Sequence, residues 1–165
     1  MANLYGKKKR QKMIKPSAHI YDVDGTLANI DPYLYHIRGS DRADRDYDAF
    51  HNASIDALPN YEVVQMLNNS ISDNHHVLVV TARSDKYRGL TSYWLAKHGI
   101  THHALYMRPD GDYRPDYEIK KDILDKINKC WTVEYAVDDN PNIINLWQEN
   151  NILTIKIGDW DGIRG

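Results

Sequence analysis

The sequence predicts an α/β domain built on a parallel sheet with helices on both faces. Three observations lead there. Apolar, strand-like runs alternate with segments of helical spacing between residues 18 and 157. The run at 76–81 (HVLVVT) is almost continuously apolar, as in a strand buried on both sides. Polar side chains of a few types recur just after the strand-like runs, where the chemistry of such sheets collects.

The elements follow in order. Residues 18–23 (AHIYDV) read as a short strand ending in Asp22 and Asp24. Residues 61–70 (YEVVQMLNNS) have helical spacing, and 76–81 form the second strand. Residues 85–98 (DKYRGLTSYWLAKH) read as a helix closed by Gly99. A short strand at 104–107 precedes a helix at 116–128 with Asp116 at its start. Strands at 133–137 and 152–157 flank a helix at 141–150, with Pro141 suited to its first turn. Two polar stretches interrupt this order: an irregular insertion at 28–59 and a loop at 108–115. Neither is long enough for a separate lid domain.

A chain of 165 residues suits one domain. No apolar run approaches ~20 residues, so a membrane span is not expected. No apolar stretch of signal-peptide length stands near the start, so export is not expected either. Cys130 is the only cysteine, which rules out a disulfide within the chain and CxxC-type zinc sites. It reads as a small buried apolar residue, and a reducing cytoplasm fits. The net charge of −2 conceals an asymmetry. Residues 1–15 carry six basic side chains and no acid, against 15 basic and 23 acidic in the remainder. Such an arm suits contact with nucleic-acid phosphates, and equally a solvated tail.

The chemistry centres on Asp22-Val23-Asp24-Gly25-Thr26. Residues i and i+2 of a strand point the same way, so Asp22 and Asp24 are expected to face one site. Gly25 allows a sharp turn directly afterwards. Thr81 and Arg83 follow the second strand, Lys120 lies on the helix after the third, and Asp138 and Asp139 end the fourth. Phosphomonoesters resist hydrolysis because an anionic nucleophile must approach an anion. Mg²⁺ between carboxylates and phosphate removes that repulsion. Asp22 is then the candidate nucleophile and Asp24 the candidate acid and base. Thr81 and Lys120 are candidates to hold the phosphoryl group, and Thr26 to bind substrate. Which of Asp138 and Asp139 ligates the metal is left open.

Calcium is disfavoured, because an EF-hand loop needs glycine at position six and Gly25 is fourth from Asp22. The pairs His75/His76 and His102/His103 read as surface residues at the opposite edge of the sheet. Trp94, Trp131, Trp147 and Tyr93 read as core. No GxxxxGK[ST] occurs, so P-loop kinase chemistry is absent from this sequence.

DVDGT, VVTAR, Lys120 and AVDDN together resemble the four motifs of the haloacid dehalogenase (HAD) phosphatase superfamily. YDVDGTLA, RPDGDYRPDYEIKKDIL and AVDDNPNIINLW are similar to the 3′-phosphatase domain of phage-type polynucleotide kinase/phosphatase. The resemblance implies a three-layer Rossmann-like fold with a central, mostly parallel five-stranded sheet and a minimal cap. It implies Mg²⁺ as cofactor, with Asp24 ligating through its backbone carbonyl. Arg83 and Asp116 would be needed for activity, with Arg114 a candidate substrate contact. The implied substrate is a 3′-phosphate on a DNA or RNA end, with a separate kinase or ligase as possible partner. If the chain is phage-encoded, the compartment is the host cytoplasm. The remaining expectations are a small-molecule phosphatase such as a nucleotidase, and a non-catalytic module that binds nucleic-acid ends.

Overall fold

A computed structural model describes residues 14–39 and 41–159. The basic arm expected at 1–15 therefore lies outside the described residues up to residue 13. Among the described residues, β1 (Ser17–Tyr21) leads through a helical excursion to α1 (Tyr47–Ala53) and α2 (Tyr61–Ser72). Next come β2 (His76–Ser84), α3 (Arg88–Lys97), β3 (Ala104–Arg108) and α4 (Asp116–Cys130). The chain closes with β4 (Thr132–Asp138), α5 (Pro141–Glu149) and β5 (Leu153–Lys156). The strands form one sheet in the order β3-β2-β1-β4-β5, and every pairing between them is parallel.

Strand alternation divides the core into two layers. Ala18 and Ile20 of β1, with Leu78 and Val80 of β2, pack on one face against Ile119, Ile123, Ile127 and Trp147 of α4 and α5. Tyr21, Val77 and Val79 pack on the other face against Leu67 of α2 and Trp94 and Leu95 of α3. The strand order reverses between β1 and β4, since β2 and β3 lie on one side of β1 and β4 and β5 on the other. Such a reversal opens a crevice beyond the C-terminal strand ends. Asp22 and Asp138 stand there.

The insertion at 28–59 is not the irregular polar loop expected. It holds three short 3₁₀ helices, Asp31–Ile37, Arg42–Asp44 and Ser54–Asp56, around α1. Leu34, Ile37 and Phe50 from it enter the same core layer as Trp94. The Trp94 indole also donates to the Ala57 carbonyl at 2.8 Å. Cys130 is exposed rather than buried, because α4 ends at that residue. Tyr93 is also exposed, on the outer side of the Thr91, Trp94 and Leu95 face of α3. Trp131 is half-buried, whereas Trp94 and Trp147 are core as expected.

Candidate active site

The backbone after β1 places the first two carboxylates. The Asp22 amide still donates to Val137 O of β4 at 3.0 Å, so Asp22 is tied to the sheet. The chain then turns back, with the Leu27 amide on Asp22 O at 3.2 Å and the Ala28 amide on Val23 O at 2.8 Å. Gly25 turns it with a φ of +81°, a left-handed conformation that costs a side-chain-bearing residue energy.

Asp22, Lys120, Asp138 and Asp139 converge in the buried centre. Lys120 Nζ donates to Asp22 Oδ1 at 2.7 Å and to Asp138 Oδ2 at 2.8 Å. Helical spacing explains how a lysine reaches there. Lys120 stands three and four residues before Ile123 and Leu124, on the stripe of α4 that faces the sheet. Lys121, one position round, is exposed. The Asp138 turn is fixed by the Asn140 amide, which donates to Asp138 Oδ1 at 3.1 Å, while Asn140 caps α5.

Carboxylate oxygens of Asp22, Asp138 and Asp139 lie within 4.8 Å of one another. Burial pushes the Asp22 carboxyl well above its ordinary range; Lys120 opposes this, and Asp138 and Asp139 add to it. Burial alone would lower the Lys120 ammonium, but Asp138 and Asp22 outweigh it and hold it above its ordinary value. Lys120 thus stands between the Asp22 and Asp138 carboxylates, with the Asp139 carboxylate close by. The donors are three carboxylates with oxygens within 4.8 Å of one another, so the group fits a hard divalent cation such as Mg²⁺.

Asp24 is held differently. Arg83 Nη2 lies 2.5 Å from Asp24 Oδ1, and Arg83 Nε donates to Oδ2 at 2.8 Å. Each Asp24 oxygen thus accepts from Arg83 and keeps a second acceptor site. Burial would raise this carboxyl, but the Arg83 charge and hydrogen bonds outweigh it and hold it below the ordinary range. Arg83 is itself buried and also donates to Thr91 Oγ1 at 3.4 Å and Ser54 Oγ at 3.2 Å. Arg83, expected to be needed for activity, lines the cavity and clamps Asp24 with its fork. Thr81 Oγ1 accepts the Arg83 amide at 3.2 Å, which leaves the hydroxyl proton to donate elsewhere.

These residues line a cavity of about 660 Å³. Tyr47, Lys86 and Tyr113, all more exposed, share its wall. Asp116 lines it too, and its carboxylate accepts from Arg108. Asp116 is the first residue of α4, as expected, and Pro115 is the cap. Arg114 is in the wall, but its guanidinium lies 2.7 Å from Asp112 and 2.8 Å from Asp122. Thr26 is fully buried and absent from the lining, so its expected contact with substrate is not met. The sequence-predicted catalytic set therefore converges, whereas Thr26 stands apart.

His51 of α1 carried no signal in the sequence beyond its place among polar residues. It is buried in the cavity wall, 4.3 Å centroid to centroid from Tyr87, and its Nδ1 has no hydrogen-bond partner among the described residues. Burial pushes the imidazole down to about 4, with Asp24 opposing and Arg83 adding. The folded value lies below the unfolded one, so the unfolded chain takes up the proton first as pH falls. Stability is fully present above about pH 6.5 and is lost towards pH 4, by about 2 kcal/mol at pH 5. Urea unfolding at pH 7.5 and pH 5 should show a smaller acid loss in His51→Gln than in the parent. Equal losses would contradict this.

The expectation for the paired histidines also needs correction. His75 and His76 do sit at the start of β2, but His75 is half-buried and groups with His19 and Glu134. The His76 and His103 rings lie 4.5 Å apart.

This parallel sheet, with Asp22 and Asp24 after its central strand and Lys120, Asp138 and Asp139 around them, defines a HAD-type phosphatase fold. The family is narrower still. The model for the polynucleotide kinase PNKP phosphatase domain matches residues 16–161, and the chain belongs to that family. It is similar to a chain in the structure of a Pnkp1/Rnl/Hen1 complex, at 28% identity and a TM-score of 0.75. That match covers 97% of this chain and 51% of the other. A second chain, from the Pnkp1/Rnl/Hen1 RNA repair complex, is 29% identical with a TM-score of 0.75, covering 89% and 44% respectively. This chain thus spans about half the length of those relatives. A Class C acid phosphatase from Bacillus anthracis with tungstate bound shares the fold, at 15% identity and a TM-score of 0.62 over 79% of this chain and 54% of that one. No helix among the described residues is long and apolar enough to cross a membrane.

Proposed function

We propose that this chain is a Mg²⁺-dependent phosphomonoesterase that forms an aspartyl-phosphate on Asp22 and removes 3′-phosphates from nucleic-acid ends. The observation that carries this reading is the buried Asp22 carboxylate, bonded to Lys120 and lining a cavity large enough for a nucleotide. Asp22, the Asp24 carbonyl and Asp138 or Asp139 would hold Mg²⁺, which when bound supplies positive charge against the nucleophile and the phosphate.

The side chains then have distinct tasks. An Asp22 oxygen attacks phosphorus while the bond from phosphorus to the ester oxygen breaks. Asp24 gives that oxygen a proton, then takes one from the water that attacks the phosphoryl group. Phosphate leaves and the Asp22 carboxylate is restored. Arg83 keeps Asp24 ionised in the free protein; the negative charge of an arriving phosphate beside it favours the protonated form. Lys120 stays bound to the nucleophile and counters charge on the transferring oxygens. The Thr81 hydroxyl proton is free to bind a phosphoryl oxygen.

Membership of the PNKP phosphatase-domain family supports a polynucleotide end as substrate. The Pnkp1/Rnl/Hen1 assemblies of the similar chains support work alongside a separate kinase or ligase. The basic residues at 7–15 would add phosphate contacts and make affinity salt-dependent. The test compares a 3′-phosphorylated oligonucleotide with a 3′-mononucleotide in Mg²⁺. The oligomer should react with at least about tenfold higher kcat/KM, equivalent to ~1.4 kcal/mol of added binding in the transition state. Equal or slower release from the oligomer would assign the site to small molecules. No release from any phosphomonoester would favour a non-catalytic end-binding module.

A further inference from the structure

A second group of ligand-type side chains lies at the N-terminal strand ends, away from the cavity. His19 of β1, His75 just before β2 and Glu134 of β4 bring ligand atoms within 4.8 Å of one another. His19 is in register with Val77 on one side and Tyr135 on the other, and the register shift between Ala18 and His19 leaves Glu134 as the extra residue of β4 beside it. We infer that His19, His75 and Glu134 form a site for a Zn²⁺-class divalent cation, separate from the acidic centre of the active site.

The distances suit such an ion. His19 Nε2 lies 3.4 Å from Glu134 Oε2, and His75 Nδ1 lies 3.7 Å from the same oxygen. Ligands held at ~2.0–2.1 Å in a tetrahedron stand about 3.3–3.4 Å apart.

Proton counting points the same way. Ser70 Oγ lies 2.8 Å from His19 Nδ1, 2.8 Å from Tyr21 Oη, 2.7 Å from Tyr135 Oη and 3.2 Å from Met66 O. With its own proton on the Met66 carbonyl, Ser70 can accept from His19 Nδ1–H, the tautomer that a ligating Nε2 requires. That tautomer aims the Nε2 lone pair of a buried imidazole at a carboxylate oxygen. A proton or a metal cation between Nε2 and Glu134 Oε2 would remove the repulsion of two facing acceptors. A hydroxyl orienting the far ring nitrogen is also how a ligating imidazole is held.

The donor set selects the metal. Two imidazoles and one carboxylate suit Zn²⁺, whereas Mg²⁺ takes oxygens. Glu134 is half-exposed, which leaves a fourth position to water. Ligation would exchange the 2.7 Å contact between His75 Nδ1 and Ser17 Oγ for the metal. The two imidazoles, stacked at 4.1 Å with a 28° tilt, would open slightly. The bound ion would tie β1 and β4 to the chain entering β2 and so stabilise the fold.

The test is a Zn²⁺ titration of the whole chain carrying Asp138→Asn and Asp139→Asn, which disable the acidic site. Calorimetry and the imidazole ¹⁵N resonances are read together. One equivalent should bind and shift the ring nitrogens of His19 and His75. Adding Glu134→Gln, a change at an exposed position, should weaken binding at least about tenfold. Resonances that stay in place, or an affinity indifferent to Glu134→Gln, would overturn the site.

Discussion

Asp22→Asn should lower phosphatase turnover by at least about 10³-fold, since an amide cannot form the acyl-phosphate. The same change should not weaken the fold. Burial and the neighbouring Asp138 and Asp139 raise the Asp22 carboxyl, so its folded value lies above its unfolded one. Ionised Asp22 therefore costs stability at neutral pH, a cost absent only below the unfolded value. The amide keeps an oxygen to accept from Lys120, which also retains Asp138. Urea unfolding in EDTA should show the variant roughly 1–2 kcal/mol more stable than the parent. Loss of turnover with loss of folding would leave no role specific to the nucleophile, and surviving turnover would refute it.

Lys120→Met should have the opposite effect on stability. The ammonium lies between Asp22 and Asp138, all three buried. Its folded value is raised, so its stabilising contribution is present below the unfolded value near ~10.4 and complete at neutral pH. Methionine keeps the length of the side chain and removes the charge, leaving the carboxylates without a counterion. The expected cost in EDTA is about 3–5 kcal/mol. Turnover should fall about 10²–10³-fold through lost stabilisation of the transferring group. Mg²⁺ should recover part of the stability, because a cation would face the same Asp22 and Asp138 carboxylates. A variant as stable as the parent in EDTA would show that the lysine does not hold this centre together.

The catalytic centre was legible because its residues sit at positions that two simple periods define. Asp22, Asp138 and Asp139 follow strands of a parallel sheet, and the order of that sheet brings β1 and β4 together. Lys120 was less secure, with Lys121 beside it; the buried stripe at 119, 123, 124 and 127 turns Lys120 toward the sheet and leaves Lys121 exposed. The insertion at 28–59 was harder to read. Its helices are short, so Leu34, Ile37 and Phe50 form no long stripe among many charged neighbours. Cys130 stands three residues after Ile127, a spacing that extends the stripe on paper, but the helix ends there. Arg83 was placed near the site, yet its bidentate hold on Asp24 depends on a contact 59 residues apart. His19 gave no sign of its cluster, because Ser70 and Glu134 reach it from distant segments.

Chemical trapping addresses the nucleophile most directly. Asp24→Asn removes the group that activates water and should let the acyl-phosphate accumulate on the protein when it is given a 3′-phosphorylated oligonucleotide in Mg²⁺. Quenching and borohydride reduction convert an aspartyl-phosphate to homoserine, which peptide mass spectrometry can place. The expected result is homoserine at position 22 and nowhere else. Homoserine at another carboxylate, or none despite release of the oligonucleotide 3′-hydroxyl, would contradict Asp22 as the attacking residue.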